Sequence, residues 1–138
     1  MTHRRTLSRM LVLSALASLA LASPAAAKTL VSYSKTGGIA GINVSMTVSD
    51  GGSARVTGSR TGAAKRFSMS SRSLRALRRA LKDARFSTLK RRYVSRYPVS
   101  DAITQTVRYA GRTVSVSDGG NPPERLRKLL SRLSGLAG

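Results

Sequence analysis

One stretch of strict alternation constrains the fold more than any other feature of the sequence. Between residues 42 and 48 every second side chain is apolar, namely Ile42, Val44, Met46 and Val48. This period of two predicts a β-strand with one buried face and one polar face. A strand of this kind needs a second layer over its apolar face, so the rest of the chain must supply that layer.

Glycine pairs flank this strand on both sides. Residues 30–35 predict a preceding strand that ends at Gly37-Gly38, since glycine permits positive φ. On the other side, Asp50-Gly51-Gly52 is typical of a hairpin turn, and a third strand over residues 54–57 is expected to return antiparallel. A short further strand over residues 65–69 is predicted before the first helix and would bring Phe67 to the core.

A leucine stripe predicts the first helix of the covering layer. Leu74, Leu77 and Leu81 lie three, four and seven residues apart, so they share one helix face. Ser70 or Ser71 can cap this helix, because a serine oxygen accepts a hydrogen bond from a first-turn N–H. The opposite face of the helix is basic.

The last third of the chain has the same order of hairpin and helix. Residues 103–116 predict two strands joined by a turn. Asn121 is the predicted cap of a second helix that starts at Pro122-Pro123-Glu124, carries leucines over residues 126–133 and stops at Gly135. The predicted class is α+β, an antiparallel four- or five-stranded sheet with two helices packed on one face.

The first 27 residues have the composition of an export signal. Its parts are a charged start at Arg4, Arg5 and Arg9, an apolar run over residues 10–22, and Ala25-Ala26-Ala27. Cleavage after Ala27 leaves residues 28–138 as a single small basic domain, secreted or on the exterior of the cell envelope, with no transmembrane segment. An uncleaved anchor is the alternative, although the run is shorter than the roughly 20 residues that span a bilayer. Export by the twin-arginine route is the alternative to the general route.

The residues missing from this domain exclude several enzyme classes. His3 is the only histidine of the chain and there is no cysteine, so residues 28–138 cannot form a Ser-His-Asp triad, a thiol nucleophile or a zinc–thiolate site. The five acidic residues are scattered singly. The sequence therefore favours a non-catalytic binding domain without cofactor or metal, with carboxylate, lysine or tyrosine chemistry as the enzymatic alternative.

The charge of the domain indicates a second class of partner. Removing three arginines from the 25 Lys and Arg leaves 22 against five acidic residues, a formal charge of +17. The predicted anion-binding residues are Arg72, Arg75, Arg79, Lys82, Arg85, Arg91 and Arg92. Their field would attract anionic envelope polymers, although a solvated helix face explains the same residues. Sequence-specific nucleic-acid binding is not expected, because no known motif is present.

Three features together resemble a known family. They are Gly37-Gly38-Ile39-Ala40-Gly41 after a strand, a leucine-rich helix running into Phe86 and Leu89, and Asp118-Gly119-Gly120 leading through Pro122 into a second such helix. In this combination residues 30–133 resemble the emfourin family, small bacterial inhibitors of thermolysin-like zinc metalloproteases. The resemblance implies a protein partner, a secreted metalloprotease, whose cleft is plugged by a loop of Gly37, Gly38, Ile39, Ala40 and Gly41. A turn that needs positive φ explains these glycines equally well without a partner.

Overall fold

The computed structural model describes residues 27–58, 62–97 and 99–138. Its strands are β1 (Thr29–Gly37), β2 (Ile42–Ser49), β3 (Ser53–Gly58), β4 (Lys65–Ser68), β5 (Arg92–Tyr93), β6 (Thr104–Tyr109) and β7 (Arg112–Ser117). The helices are α1 (Ser71–Asp83) and α2 (Glu124–Ala137), with a 3-10 turn at Phe86–Thr88. The predicted export signal lies outside the described residues except for Ala27. Within the described ranges, no helix combines the length and the apolar character needed to cross a membrane.

The seven strands form one sheet in the order β4-β3-β2-β1-β6-β7-β5. All neighbours are antiparallel except β5, which pairs in parallel with β7. The α+β prediction is therefore confirmed, but the sheet is larger than the predicted four or five strands and is mixed rather than antiparallel. A strand of two residues has no periodicity to detect. It forms where the chain passes β7 on its way to β6, and there the Ser115 N–H donates to the Arg91 carbonyl at 2.9 Å.

One face of the sheet and both helices enclose the hydrophobic core. Its central row crosses five strands and consists of Val56, Met46, Tyr33, Val107 and Val114. The helices cover this row with buried leucines, namely Leu77, Leu81, Leu126, Leu129, Leu130 and Leu133. Each such side chain contributes roughly 1.5–3 kcal/mol on burial, so an aliphatic core stabilises this cysteine-free fold.

Three helix ends were predicted from the sequence, and the structure corrects two of them. Of the two predicted caps, Ser70 is the one that caps α1, since its Oγ accepts from the Ser73 N–H at 3.2 Å. Asn121 does not cap α2; Pro123 occupies that position with an extended ψ of 149°. The prediction was wrong because a residue that precedes proline, here Pro122, is disfavoured in the helical region. Nor does Gly135 end α2, since the helix continues through Leu136 and Ala137, which pack against the core.

The core contains a buried phenol. Tyr33 lies on the covered face of β1, and its hydroxyl donates to Gln105 Oε1 at 2.9 Å. Burial raises the pKa of the Tyr33 phenol, and a hydrogen bond with the Ser134 side chain opposes part of that rise. The folded state therefore favours the neutral phenol.

Candidate functional site

The turn between β1 and β2 contains the five residues predicted as a partner-binding loop. Gly37, Gly38 and Gly41 have φ values of +107°, +75° and +59°, a region that residues other than glycine rarely adopt. The Gly41 N–H donates to the Gly38 carbonyl at 2.9 Å and closes the turn. Ile39 lies next to this closure and is 92% exposed. The glycines thus set the shape of the turn, and Ile39 is the side chain that it presents.

The turn is braced by the segment that leads into β6. A Cβ atom on Gly37 would clash with the Ala102 carbonyl oxygen, and one on Gly38 would lie 3.3 Å from Ile103 Cγ1. This segment is in turn held to the end of β7, because the Ile103 N–H donates to Asp118 Oδ2 at 2.9 Å. In return, the Asp118 N–H donates to the Ile103 carbonyl at 3.0 Å. The turn is therefore fixed against its neighbours at this end of the sheet.

A second apolar segment lies along the same end. The loop between β5 and β6 starts close to Gly119, where a Cβ would lie 2.9 Å from Ser95 Cβ. The loop ends at Ala102 and Ile103, beside Gly37. Its exposed apolar side chains are Val94, Tyr97 and Val99, at 57%, 81% and 56% exposure. With Ile39 they complete the set of large hydrophobic side chains that are exposed in the described ranges. We call these four residues, Ile39, Val94, Tyr97 and Val99, the apolar rim.

Two tyrosines in this part of the chain have different environments. The sequence favours anchoring of both Tyr93 and Tyr97 in the core, with stacking on bases or sugars as the alternative. Tyr93 is half-buried against the core, and its hydroxyl accepts from the Lys90 N–H at 3.0 Å. Tyr97 instead projects into solvent, so the expectation holds for Tyr93 and is wrong for Tyr97. No local sequence signal distinguishes Tyr93 from Tyr97. Tyr93 is half-buried because it pairs with Val116 of β7, a contact that the local sequence does not reveal.

The seven predicted anion-binding residues belong to three parts of the chain. Arg72, Arg75, Arg79 and Lys82 are exposed along one side of α1, opposite its buried leucines. Arg85 follows the helix in the left-handed region, with a φ of 49°. Arg91 and Arg92 lie at β5, in the sheet layer. We call the four residues on the helix, Arg72, Arg75, Arg79 and Lys82, the basic strip.

Three of the carboxylates act in structural contacts. Asp50 lies 4.0 Å from the Arg78 guanidinium, whose Nη2 also donates to the Asp50 carbonyl at 2.7 Å. Glu124 pairs with Lys128 at 2.9 Å, and this contact lowers the pKa of the Glu124 carboxyl. A carboxylate at a turn, such as that of Asp118, is predicted to accept from backbone N–H groups of its own turn. Asp118 instead accepts from the Ile103 N–H, fifteen residues earlier. Over the residues that the structure describes, no three Asp, Glu, His or Cys side chains group as a metal site requires.

Comparison with known proteins assigns no family to the chain. It matches no protein-family model and no curated protein. The geometry of the apolar rim and the distribution of charge are therefore the evidence for its function, and the emfourin resemblance is a hypothesis about the partner.

Proposed function

We propose that the chain is a non-catalytic domain that binds a protein through its apolar rim, and that this protein is a thermolysin-like metalloprotease whose cleft the rim occupies. The observation that carries the proposal is that the large exposed hydrophobic side chains of the described residues all lie at one end of the sheet. Large apolar side chains exposed together at one end of a domain are typical of protein-binding surfaces. Exposed aromatic residues such as Tyr97 are enriched in such interfaces.

The rigidity of the β1–β2 turn suits an inhibitor. The turn is closed by the hydrogen bond from Gly41 to Gly38 and is packed against Ala102. A preorganised ligand loses little conformational freedom on binding, which favours affinity. A closed turn also differs from the extended conformation in which a peptide adds a strand to its receptor. We therefore expect the rim to occupy a cleft without being cleaved.

The choice of partner depends on the sequence resemblance. Residues 30–133 resemble the emfourins in the glycine turn, the two leucine-rich helices and the turn that precedes the second helix. Export through the predicted signal would bring the domain into contact with a secreted protease. Steric occlusion of the cleft requires no cofactor and no reacting group on the inhibitor.

A second candidate function is binding of anionic envelope polymers through the basic strip. Its four cations are exposed along one side of α1, and Arg75 and Arg79 are four residues apart. Like charges at this spacing destabilise a helix by about 0.2–0.5 kcal/mol. A polyanion on this surface would offset that repulsion, with a strong dependence on salt.

One set of titrations separates the two candidates. Inhibition of a thermolysin-like metalloprotease is measured at low and moderate salt for the wild type, for Tyr97→Ser/Val99→Ser, and for Arg75→Gln/Arg79→Gln. If the apolar rim binds the protease, neither added salt nor the arginine variant should change the inhibition constant by more than about threefold. The rim variant should weaken inhibition by roughly tenfold or more. No inhibition, together with salt-sensitive polymer binding that the arginine variant loses, would favour the basic strip instead.

A further inference from the structure

The face of the sheet opposite the helices carries hydroxyl and arginine side chains in regular rows. Side chains alternate along a strand, so the neighbours of buried Val31, Tyr33 and Val107 point to this face. One row crosses six strands and consists of Arg66, Arg55, Thr47, Ser32, Arg108 and Thr113. The next row has five hydroxyl side chains and ends at Arg92. We call this surface the open face.

The open face has positive charge and no negative charge. None of the seven strands contains an aspartate or a glutamate. Arg55, Arg66, Arg92 and Arg108 are all exposed. Arg55 and Arg66 are direct cross-strand partners, an arrangement of like charges that is unfavourable for folding. An anionic ligand would remove this repulsion.

We propose that the open face binds an acidic polysaccharide, a linear polymer of uronate sugars. Arginine pairs with carboxylates through two parallel hydrogen bonds. The serine and threonine rows between the arginines can donate to sugar hydroxyls and accept from them. Strands lie about 4.8 Å apart, so Arg55 and Arg108 are separated by about 14 Å and the whole row spans about 24 Å. This spread fits a polymer with repeated charges better than a single small anion.

Other occupants fit the open face less well. A second copy of the chain would place arginines against arginines, and residues 1–27 contain three arginines and no acidic residue. Single-stranded nucleic acid is bound largely by stacking of bases on aromatic side chains. The open face has none among the described residues. Tyr33, Phe67, Tyr93 and Tyr109 lie on the covered face, Phe86 is buried after α1, and Tyr97 belongs to the apolar rim.

The test compares two surfaces that carry the same charge. Binding of the purified protein to polygalacturonate is measured by calorimetry, with neutral dextran, polyphosphate and a single-stranded DNA oligonucleotide as alternative ligands. We expect Arg55→Gln/Arg108→Gln to weaken polygalacturonate binding by roughly tenfold or more. Arg75→Gln/Arg79→Gln removes the same charge from α1 and should weaken it by less than about threefold.

A third variant tests the hydroxyl rows. Thr47→Val keeps the shape of the side chain and removes its hydroxyl, so polygalacturonate binding should weaken by about threefold while polyphosphate binding stays unchanged. Thermal denaturation checks that each variant folds. If Arg55→Gln or Arg108→Gln prevents folding, Arg66→Gln takes its place in the double variant.

Four outcomes would overturn the proposal. The first is no binding of polygalacturonate, and the second is equal binding of dextran. The third is an equal loss in the two arginine double variants, which would show that net charge alone matters. The fourth is tighter binding of polyphosphate or DNA than of polygalacturonate. Since the open face and the apolar rim share no residue, each outcome is independent of protease inhibition.

Discussion

Strand β2 is bounded by two turns that carry the same glycine signal but have different surroundings. After β2, Gly52 is buried beneath α1, where its carbonyl accepts from the Met69 N–H at 2.9 Å and a Cβ would lie 3.3 Å from Leu74 Cδ2. Arg78 of α1 also donates to Asp50 in this turn. Before β2, the turn is braced only at its base and presents Ile39 to solvent.

This difference shows what a glycine pair does and does not predict. Gly37 and Gly38 in the first turn and Gly52 in the second have positive φ, so the sequence correctly predicts where the chain reverses. The helix that covers one turn and leaves the other uncovered is far away in sequence. The turn under α1 therefore serves the fold, whereas the turn that presents Ile39 is available for a partner. Three substitutions test this distinction and a fourth tests a polar contact in the core beneath the sheet, in order from the largest expected loss of stability to the smallest.

Gly37→Ala should cause the largest loss. Its φ of +107° is unfavourable for alanine, and the new Cβ would clash with the backbone oxygen of Ala102, which cannot rotate away. We expect the free energy of unfolding to fall by about 3 kcal/mol. Thermal denaturation would then show a decrease in Tm of roughly 10 °C. A decrease within about 2 °C would mean that the base of the turn is not braced.

Gly52→Ala should cost less, because its nearest neighbour is the end of a flexible side chain. The φ of Gly52 is +87°, and the new Cβ would meet Leu74 Cδ2, which can shift. The expected loss is about 1–2 kcal/mol in denaturant unfolding. Gly51→Ala in the same turn is the matched control, since its new Cβ would have no neighbour closer than 3.9 Å, and it should change stability by less than about 0.5 kcal/mol. Equal losses would show that burial of Gly52 is unimportant.

Tyr33→Phe measures what one polar contact contributes to the covered face. Loss of the hydrogen bonds to Gln105 and Ser134 should cost about 1 kcal/mol near neutral pH. Folding raises the pKa of the Tyr33 phenol, so the phenol of the unfolded chain ionises at a lower pH than that of the folded chain. The contribution of Tyr33 to stability is therefore complete below a pH of about 10 and falls as the pH rises further. Denaturant unfolding at pH 8 and at pH 11 should therefore show a smaller alkaline loss in the variant. If the variant and the wild type lose the same stability between pH 8 and pH 11, groups other than Tyr33 cause that loss.

Ile39→Ser should have almost no effect on stability. The side chain is 92% exposed and contributes little to the core, so the free energy of unfolding should change by less than about 0.5 kcal/mol. Denaturant unfolding beside the wild type checks this value. A loss above about 1 kcal/mol would indicate that Ile39 stabilises the turn instead of presenting a contact surface.

Local signals explain which parts of the fold could be predicted. Alternation identified β2, and the Ser70 cap and leucine spacing identified α1, because these features depend on neighbours within a few residues. The two-residue β5 and its parallel pairing have no such signal. At the site, Gly37 to Gly41 marked the turn, but the apolar rim could not be predicted. It exists because Asp118 and Ile103 bring the β5–β6 loop beside a turn that is distant in sequence.

The most direct test of rim binding compares the two turns in one inhibition assay. The inhibition constant for a thermolysin-like metalloprotease is measured for the wild type, Ile39→Ser and Gly51→Ser, the last of which places the same side chain at the other end of β2. We expect Ile39→Ser to weaken inhibition by at least about thirtyfold, as for an interface hot spot, and Gly51→Ser to change it by less than about twofold. No inhibition by the wild type, or equal effects of the two substitutions, would contradict binding through the apolar rim.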